Sequence, residues 1–395
     1  MPLALEGIKI IEMGVYGPAN TTGQYLADLG AEVVVVEPPS NRALGAEWSA
    51  SDRFRPETNR NKRMIALDLR KPEGKEVLHR LVKSSDVLIE ANRPGVAKRS
   101  GYDYETLSAI NPKIIVASLT GFGQTGPHSL LPGHVVVFEA MGGWLQTHGQ
   151  GLGNSGGDFT GKPWVDPFAI VGIKAIDNFA IAILSALLAR ERFGVGQYIE
   201  MAILDSVITV RRPGAPPRGE EAFEPNRPDW NVYECKDGKY MGVAAPEDLQ
   251  WRNLCQGLGV PELVEARPGR GMNALAAKKK NLEIMEALQR AFKTRTRDDW
   301  FAHLSQLDTE VGKVNTLDEA AQDEQVKMRG MHVEVVDEAG YREIQYGSPI
   351  KLSKTPARKV HRRAPRLGEY TNQILSELGY SQKEISRLIG AQTAF

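Results

Sequence analysis

Cysteine is scarce in this chain: Cys235 and Cys255 are the only two among 395 residues, and no metal-ligand spacing surrounds either. That excludes a disulfide scaffold and a cysteine-based zinc site, and it fits a reducing compartment. Net charge is also missing, since 49 Lys+Arg stand against 49 Asp+Glu. The balance argues against bulk binding of nucleic acid or of an anionic membrane. No Gly-Lys-Ser/Thr occurs, which removes the phosphate loop of the nucleotide-hydrolysing enzymes. The first residues, MPLALEGIKIIEMG, have no basic leader pattern, and the apolar stretch around Ile181–Ala189 lies between charges and is too short to span. No repeat or low-complexity tract interrupts the chain. A cytoplasmic protein with no metal, no nucleic-acid partner and no membrane contact is the expectation.

With 42% hydrophobic and 25% charged residues, the composition is that of a globular protein. The length exceeds what one core usually supports, which predicts two domains. Residues Ile8–Glu12, Val33–Val36, Val87–Ile89 and Ile114–Leu119 read as strands. Gly17–Leu29, Glu73–Ser84 and Tyr104–Ile110 between them carry helical spacing. Strands with continuous apolar cores alternating with helices predict a parallel sheet of βαβ units. Residues 121–168 are dense in glycine, and long loops on a rigid scaffold are where sites sit. A helix over Ile170–Arg192 follows, apolar nearly all round in its second half and therefore expected to be buried. The Pro-, Arg- and Glu-rich residues 211–229 read as a linker, closing a large domain over 1–210. A small domain is expected over 230–328, beginning with a hairpin at Tyr233–Ala245 that turns at Asp237-Gly238. Helical patterns fill its remainder. The tail, Ser348–Phe395, reads as a turn-rich segment and two short helices.

Several residues could carry chemistry. GFGQTG at 121–126 follows a strand, either as a plain turn or as an anion-binding loop. Asn61-Lys62-Arg63, Arg70, Arg93 and Arg99 recur across successive βα units, as a phosphate or pyrophosphate site would require, or as solvated surface. Asp166, at the entrance to the apolar helix, is either a cap or a carboxylate nucleophile in a desolvated pocket. Asp158 competes with it. His134, in PGHVVVFEAMGG, opens an apolar run, strand-like or helical, in the same glycine-rich zone. Glu247, in AAPEDLQW, is by default a helix cap.

Taken together, LEGIKIIEMG, GPANTTGQYLADLGAEVVVVEPP, EANRPGV, ASLTGFGQTGP, ARERFGVGQYIEMAILDS and YECKDGKYMGVAA resemble the class III coenzyme A-transferase family, the CaiB/BaiF group, which includes the α-methylacyl-CoA racemases. The resemblance runs over nearly the whole chain. It implies a Rossmann-like, doubly wound, mostly parallel α/β domain with a smaller α+β domain inserted, residues 329–395 returning to the large domain, in an interlocked homodimer. It implies coenzyme A or an acyl-CoA as substrate together with a small carboxylic acid, and no tightly bound cofactor. Asp166 falls where the family has its nucleophile. The CoA contacts would map to Val15, Tyr16, Leu67–Arg70, Ala91, Asn92, Arg93 and Arg99. In a transferase, Asp166 attacks the acyl thioester and passes through a mixed anhydride and an aspartyl-CoA thioester. In a racemase, His134, which matches the racemase histidine, and Asp166 exchange one proton through an enolate, with Glu247 supporting His134. Asp166-Pro167 resembles the transferases, and the racemase glycine run after the aspartate is missing, which favours transfer. Val15 and Pro38 stand where formyl/oxalate transferases have Gln and Arg, so that acyl pair is disfavoured. The stretch from Asp166 to Arg190 is longer than the family spacing, which keeps Asp158 in view. A CoA-binding protein without catalysis is the third reading.

Overall fold

The computed structural model describes residues 1–14, 17–39, 58–143, 170–210, 227–267, 274–336, 340, 342–360 and 362–395. Asp158, Asp166, Val15 and Tyr16 lie outside them. The chain divides into two compact units, one taking the described residues up to 210 and again Glu324–Phe395, the other residues 227–323.

The larger unit is built on six parallel strands: β1 (Lys9–Met13), β2 (Glu32–Glu37), β3 (Arg63–Ala66), β4 (Val87–Glu90), β5 (Ile115–Thr120) and β6 (Gln197–Ala202). Their order is β3-β2-β1-β4-β5-β6, so the winding reverses between β1 and β4. The inner strands are continuous apolar runs because both faces are covered. On one face Ile11, Val34, Ile65 and Leu88 pack against helix α2 (Pro72–Lys83), through Val77, Leu78, Leu81 and Val82. The C-terminal helices over Thr371–Glu377 and Gln382–Gly390 complete that face through Ile374, Leu375, Ile385 and Leu388. On the other face, Ile10, Val33, Val87 and Ile115 meet α1 (Pro18–Asp28) and a long helix, Ile170–Phe193. Alternate strand residues thus feed two separate cores, as the period of two requires.

The long helix is not buried all round. Ala175, Phe179, Ile183, Ala186 and Leu187 are buried against the sheet and α1, while Ile173, Ile181 and Leu188 are about half exposed. Sequence hydrophobicity counted an apolar stripe that no other described residue of the chain covers. Its stretch Gly172–Phe193 is also long and apolar enough, by length and composition, to cross a membrane, which corrects the shorter reading from the sequence. Yet one face of it is the floor of a packed core.

The smaller unit has a three-stranded antiparallel sheet, β7 (Trp230–Glu234), β8 (Tyr240–Ala244) and β9 (Val311–Lys313). The hairpin turns at Asp237-Gly238, where Gly238 takes φ 76°, a value glycine adopts without strain. Its core gathers Tyr233, Trp251, Phe292 and Trp300, the first and third stacked at 5.1 Å. Two boundaries shift. Asp229, placed in the linker by composition, is buried and paired with Arg227 and Arg267, so it belongs to this unit. The unit ends at Asp323, because helix Glu324–Met328 groups with the larger one. β9 interrupts the stretch expected to be helical, and an antiparallel pair, β10 (His332–Val336) with β11 (Arg342–Tyr346), lies where no strand was read.

Candidate active site

The reversal of winding opens a crevice at the carboxyl ends of the strands, the usual ligand position in an open α/β sheet. A cavity of about 580 Å³ lies there. Met13 and Gly14 after β1, Val36 to Pro39 after β2, and Leu67 to Arg70 after β3 line it on one side. Asn92 after β4, Tyr102, Lys75 of α2 and Arg99 of α3 (Val96–Ser100) close the other.

Three cations therefore border the cavity: Arg70, Lys75 and Arg99. Arg70 grips Asp68 with Nε and Nη2, both at 2.8 Å, and this pairing holds the Asp68 carboxyl below its ordinary range. Because the Arg70 side chain is 84% exposed, the pair is screened and readily exchanged for an anionic ligand. The Lys75 ammonium donates to the Arg99 carbonyl at 3.3 Å, tying α2 to α3 across the opening.

Of the CoA contacts implied by the sequence, Leu67, Arg70, Asn92 and Arg99 meet at this cavity. The Leu67 side chain is buried in the core below. Ala91 packs instead against the opposite core, and Arg93, though exposed, is not part of the lining. The Asn61-Lys62-Arg63 run is not a phosphate group either. Lys62 is fully buried and donates to Glu12 at 2.8 Å and to the Asn20 carbonyl at 2.9 Å. Arg63 Nη1 donates to both carboxylate oxygens of Glu377 at 2.7 Å, at the opposite end of β3. These charges serve the scaffold, because burying them demanded partners.

His134 is exposed at the N-cap of a helix, Val135–Met141, with its carbonyl accepting from Val137 N at 2.8 Å and its side chain unused in capping. Its segment sits beside the glycine turn after β5. A Cβ at Gly121 or Gly133 would stand 2.5 or 2.7 Å from the Phe138 ring, so both glycines are forced by that close approach. Glu247, in the smaller unit, is exposed at the N-cap of helix Asp248–Leu258 and makes no side-chain cap. Cys235 and Cys255 are buried, and burial pushes their thiols up to about 11 and about 12, so neither is a competent nucleophile. No group able to hold a metal ion occurs among the described residues.

Sequence reading passed over a polar set between the cavity and the glycine turn. Glu90 ends β4 fully inside; its carboxylate accepts from the Ser118 hydroxyl and from Asn92 N at 2.8 Å. Burial raises the Glu90 carboxyl above its ordinary range, and no cation offsets it in these bonds. The available signal was an acid closing an apolar strand, repeated in IIE at 10–12, VVVE at 34–37 and VLIE at 87–90.

Residues 5–371 match CoA-transferase family III. The chain belongs to that family. It is 33% identical to a succinate–glutarate CoA-transferase of Agrobacterium fabrum, over 95% of both chains. It is 31% identical to the human α-methylacyl-CoA racemase, over 98% of this chain and 96% of that one. A formyl-CoA:oxalate CoA-transferase of Escherichia coli is 30% identical, over 98% and 99% respectively. The crystal structure of a CaiB/BaiF family protein from Brucella suis superposes with a TM-score of 0.78 at 31% identity, covering 96% of this chain and all of that one. The six-stranded parallel sheet with helices on both faces is thus the fold of family III.

Proposed function

We propose that this protein transfers coenzyme A from an acyl-CoA to a small carboxylic acid, with Asp166 as nucleophile. The observation that carries the reading is the cation-bordered cavity at the switch point, formed by Leu67–Arg70, Asn92 and Arg99 in a chain of family III. A polyanionic ligand with an adenine ring suits a crevice that offers apolar walls, an amide and three cations.

The chemistry follows from the carboxylate. Asp166 attacks the donor thioester carbonyl, forming a mixed anhydride and expelling CoA thiolate. The thiolate attacks the aspartyl carbonyl, so the donor acid leaves and an aspartyl-CoA thioester remains. The acceptor carboxylate attacks that thioester and again expels thiolate, which takes the acceptor acyl group and restores Asp166. Every step is an acyl exchange without net proton transfer. The protein acts on free acyl-CoA in the cytoplasm as a homodimer and needs no tightly bound cofactor. Val15 and Tyr16 complete the CoA contacts.

A racemase reading has its own support in His134, exposed beside the glycine turn, and in the 31% identity to the human racemase. Peptide mass spectrometry separates the two. After incubation with a panel that includes succinyl-CoA and glutarate, a CoA adduct on the Asp166 peptide is expected, absent from Asp166→Ala. Deuterium entering the thioester α-carbon in heavy water, with no adduct, would instead establish the racemase and assign His134 and Glu247 to it.

A further inference from the structure

Strands β2 and β4 end on a buried glutamate, Glu37 and Glu90, and β1 carries another, Glu12, one residue before its end. Glu12 answers Lys62, but the hydrogen bonds of Glu90 come from neutral groups. Those bonds lead in two directions. Toward the cavity, Asn92 N–H donates to Glu90 Oε2 at 2.8 Å, and Asn92 Nδ2 donates to the Tyr102 hydroxyl at 3.0 Å. Asn92 and Tyr102 both line the cavity. Toward the glycine turn, the Ser118 hydroxyl donates to Glu90 Oε1 and accepts from Gln124 Nε2 at 2.7 Å. Gln124 is held a second time, its backbone N–H donating to Glu200 Oε1 at 2.6 Å. Gly123 N–H donates to Thr120 Oγ1 at 2.9 Å, so the turn has little freedom of its own.

A buried carboxylate without a cation is costly, and it is tolerated here because both oxygens accept hydrogen bonds. We propose that Glu90 is a positioning residue that ties the Asn92–Tyr102 wall of the cavity to the turn over residues 121–126. Occupancy of the cavity and placement of the turn, with the His134 segment packed behind it through Phe138, are then set together. The functional half of this inference rests on the CoA-transferase reading; the mechanical half does not. Glutamine at 90 is nearly isosteric but offers one acceptor oxygen in place of two. Either Asn92 N–H or the Ser118 hydroxyl would then face an NH2 group.

Hydrogen exchange on the free protein tests the tie. Glu90→Gln is expected to raise exchange in residues 92–95 and in 121–126 together, and Ser118→Ala to reproduce the rise in 121–126. Unchanged exchange at 121–126 in folded Glu90→Gln would overturn the inference whatever the protein binds. With CoA, Glu90→Gln should weaken binding about ten-fold, the scale of one unmet buried hydrogen bond. In the transfer assay kcat should fall as well as KM rise, and Glu90→Gln/Ser118→Ala should be no worse than the poorer single variant. A lowered melting temperature with KM and kcat unmoved would mean a purely structural glutamate and would also overturn it. Wild-type protein that binds no CoA would count against the transferase reading, while the exchange data still decide the tie.

Discussion

Lys62 has no exposed surface, and a buried ammonium is tolerable only when its charge is answered at close range. Glu12 answers it at 2.8 Å, and Asn20 Nδ2 donates to Glu12 Oε1 at 2.6 Å and to Asn59 Oδ1 at 2.9 Å. Burial pushes the Glu12 carboxyl up and the Lys62 ammonium down, and their mutual attraction opposes both shifts. The same carboxylate dictates Gly23 of α1, where a Cβ would come 1.9 Å from Glu12 Oε2. Removing one partner strands the other, so Lys62→Met should cost about 3–5 kcal/mol, read as a lower denaturant midpoint. Lys62→Met/Glu12→Gln should recover part of that loss. A midpoint unchanged in the single variant would show that the pair is dispensable. In the sequence, Lys62 looked like one of several phosphate-binding cations, because a run of basic residues does not reveal which of them points inward.

At the level of elements, the parallel sheet was legible because buried parallel strands are written as unbroken apolar runs, such as Val33–Val36 within β2. The pair β10 and β11 was not, since HVEVV and REIQY mix charge with apolar residues on a largely exposed ribbon. Of the residues that line the cavity, Arg70, Asn92 and Arg99 are ones the family resemblance singles out as CoA contacts. Glu90 and Ser118 were missed because their importance lies in contacts across strands. The smaller unit shows how one buried acid can set acid stability. Burial of Asp229 favours its neutral form, but Arg227 and Arg267 outweigh this and the carboxyl is held below its ordinary range. A carboxyl depressed in the folded state stabilises above its unfolded value of about 3.9, and this is lost as pH falls through the folded value. Thermal melts should therefore show a steep loss of stability below about pH 4. Asp229→Asn should lower stability at neutral pH and flatten that acid limb. An identical acid limb in the variant would assign it to other carboxylates.

For the whole molecule, the open question is what covers the apolar surface the fold leaves exposed. Ile173, Ile181 and Leu188 form one stripe along the long helix, with Phe193 exposed at its end. A stripe of this kind calls for a partner. A membrane is the weaker candidate, because Ala175, Phe179 and Ile183 of the same helix are locked into the core on the sheet, and insertion would have to break that core. A second copy of the chain meets the requirement without unfolding anything, and closed two-fold dimers are the commonest soluble assembly. Sedimentation at micromolar concentration should accordingly give a dimer. Ile181→Asp/Leu188→Asp should shift it to monomer with the circular dichroism spectrum kept, since neither side chain is part of the buried core. Wild-type protein that stays monomeric as concentration rises would remove the dimer, and vesicle flotation would then decide whether lipid covers the stripe instead.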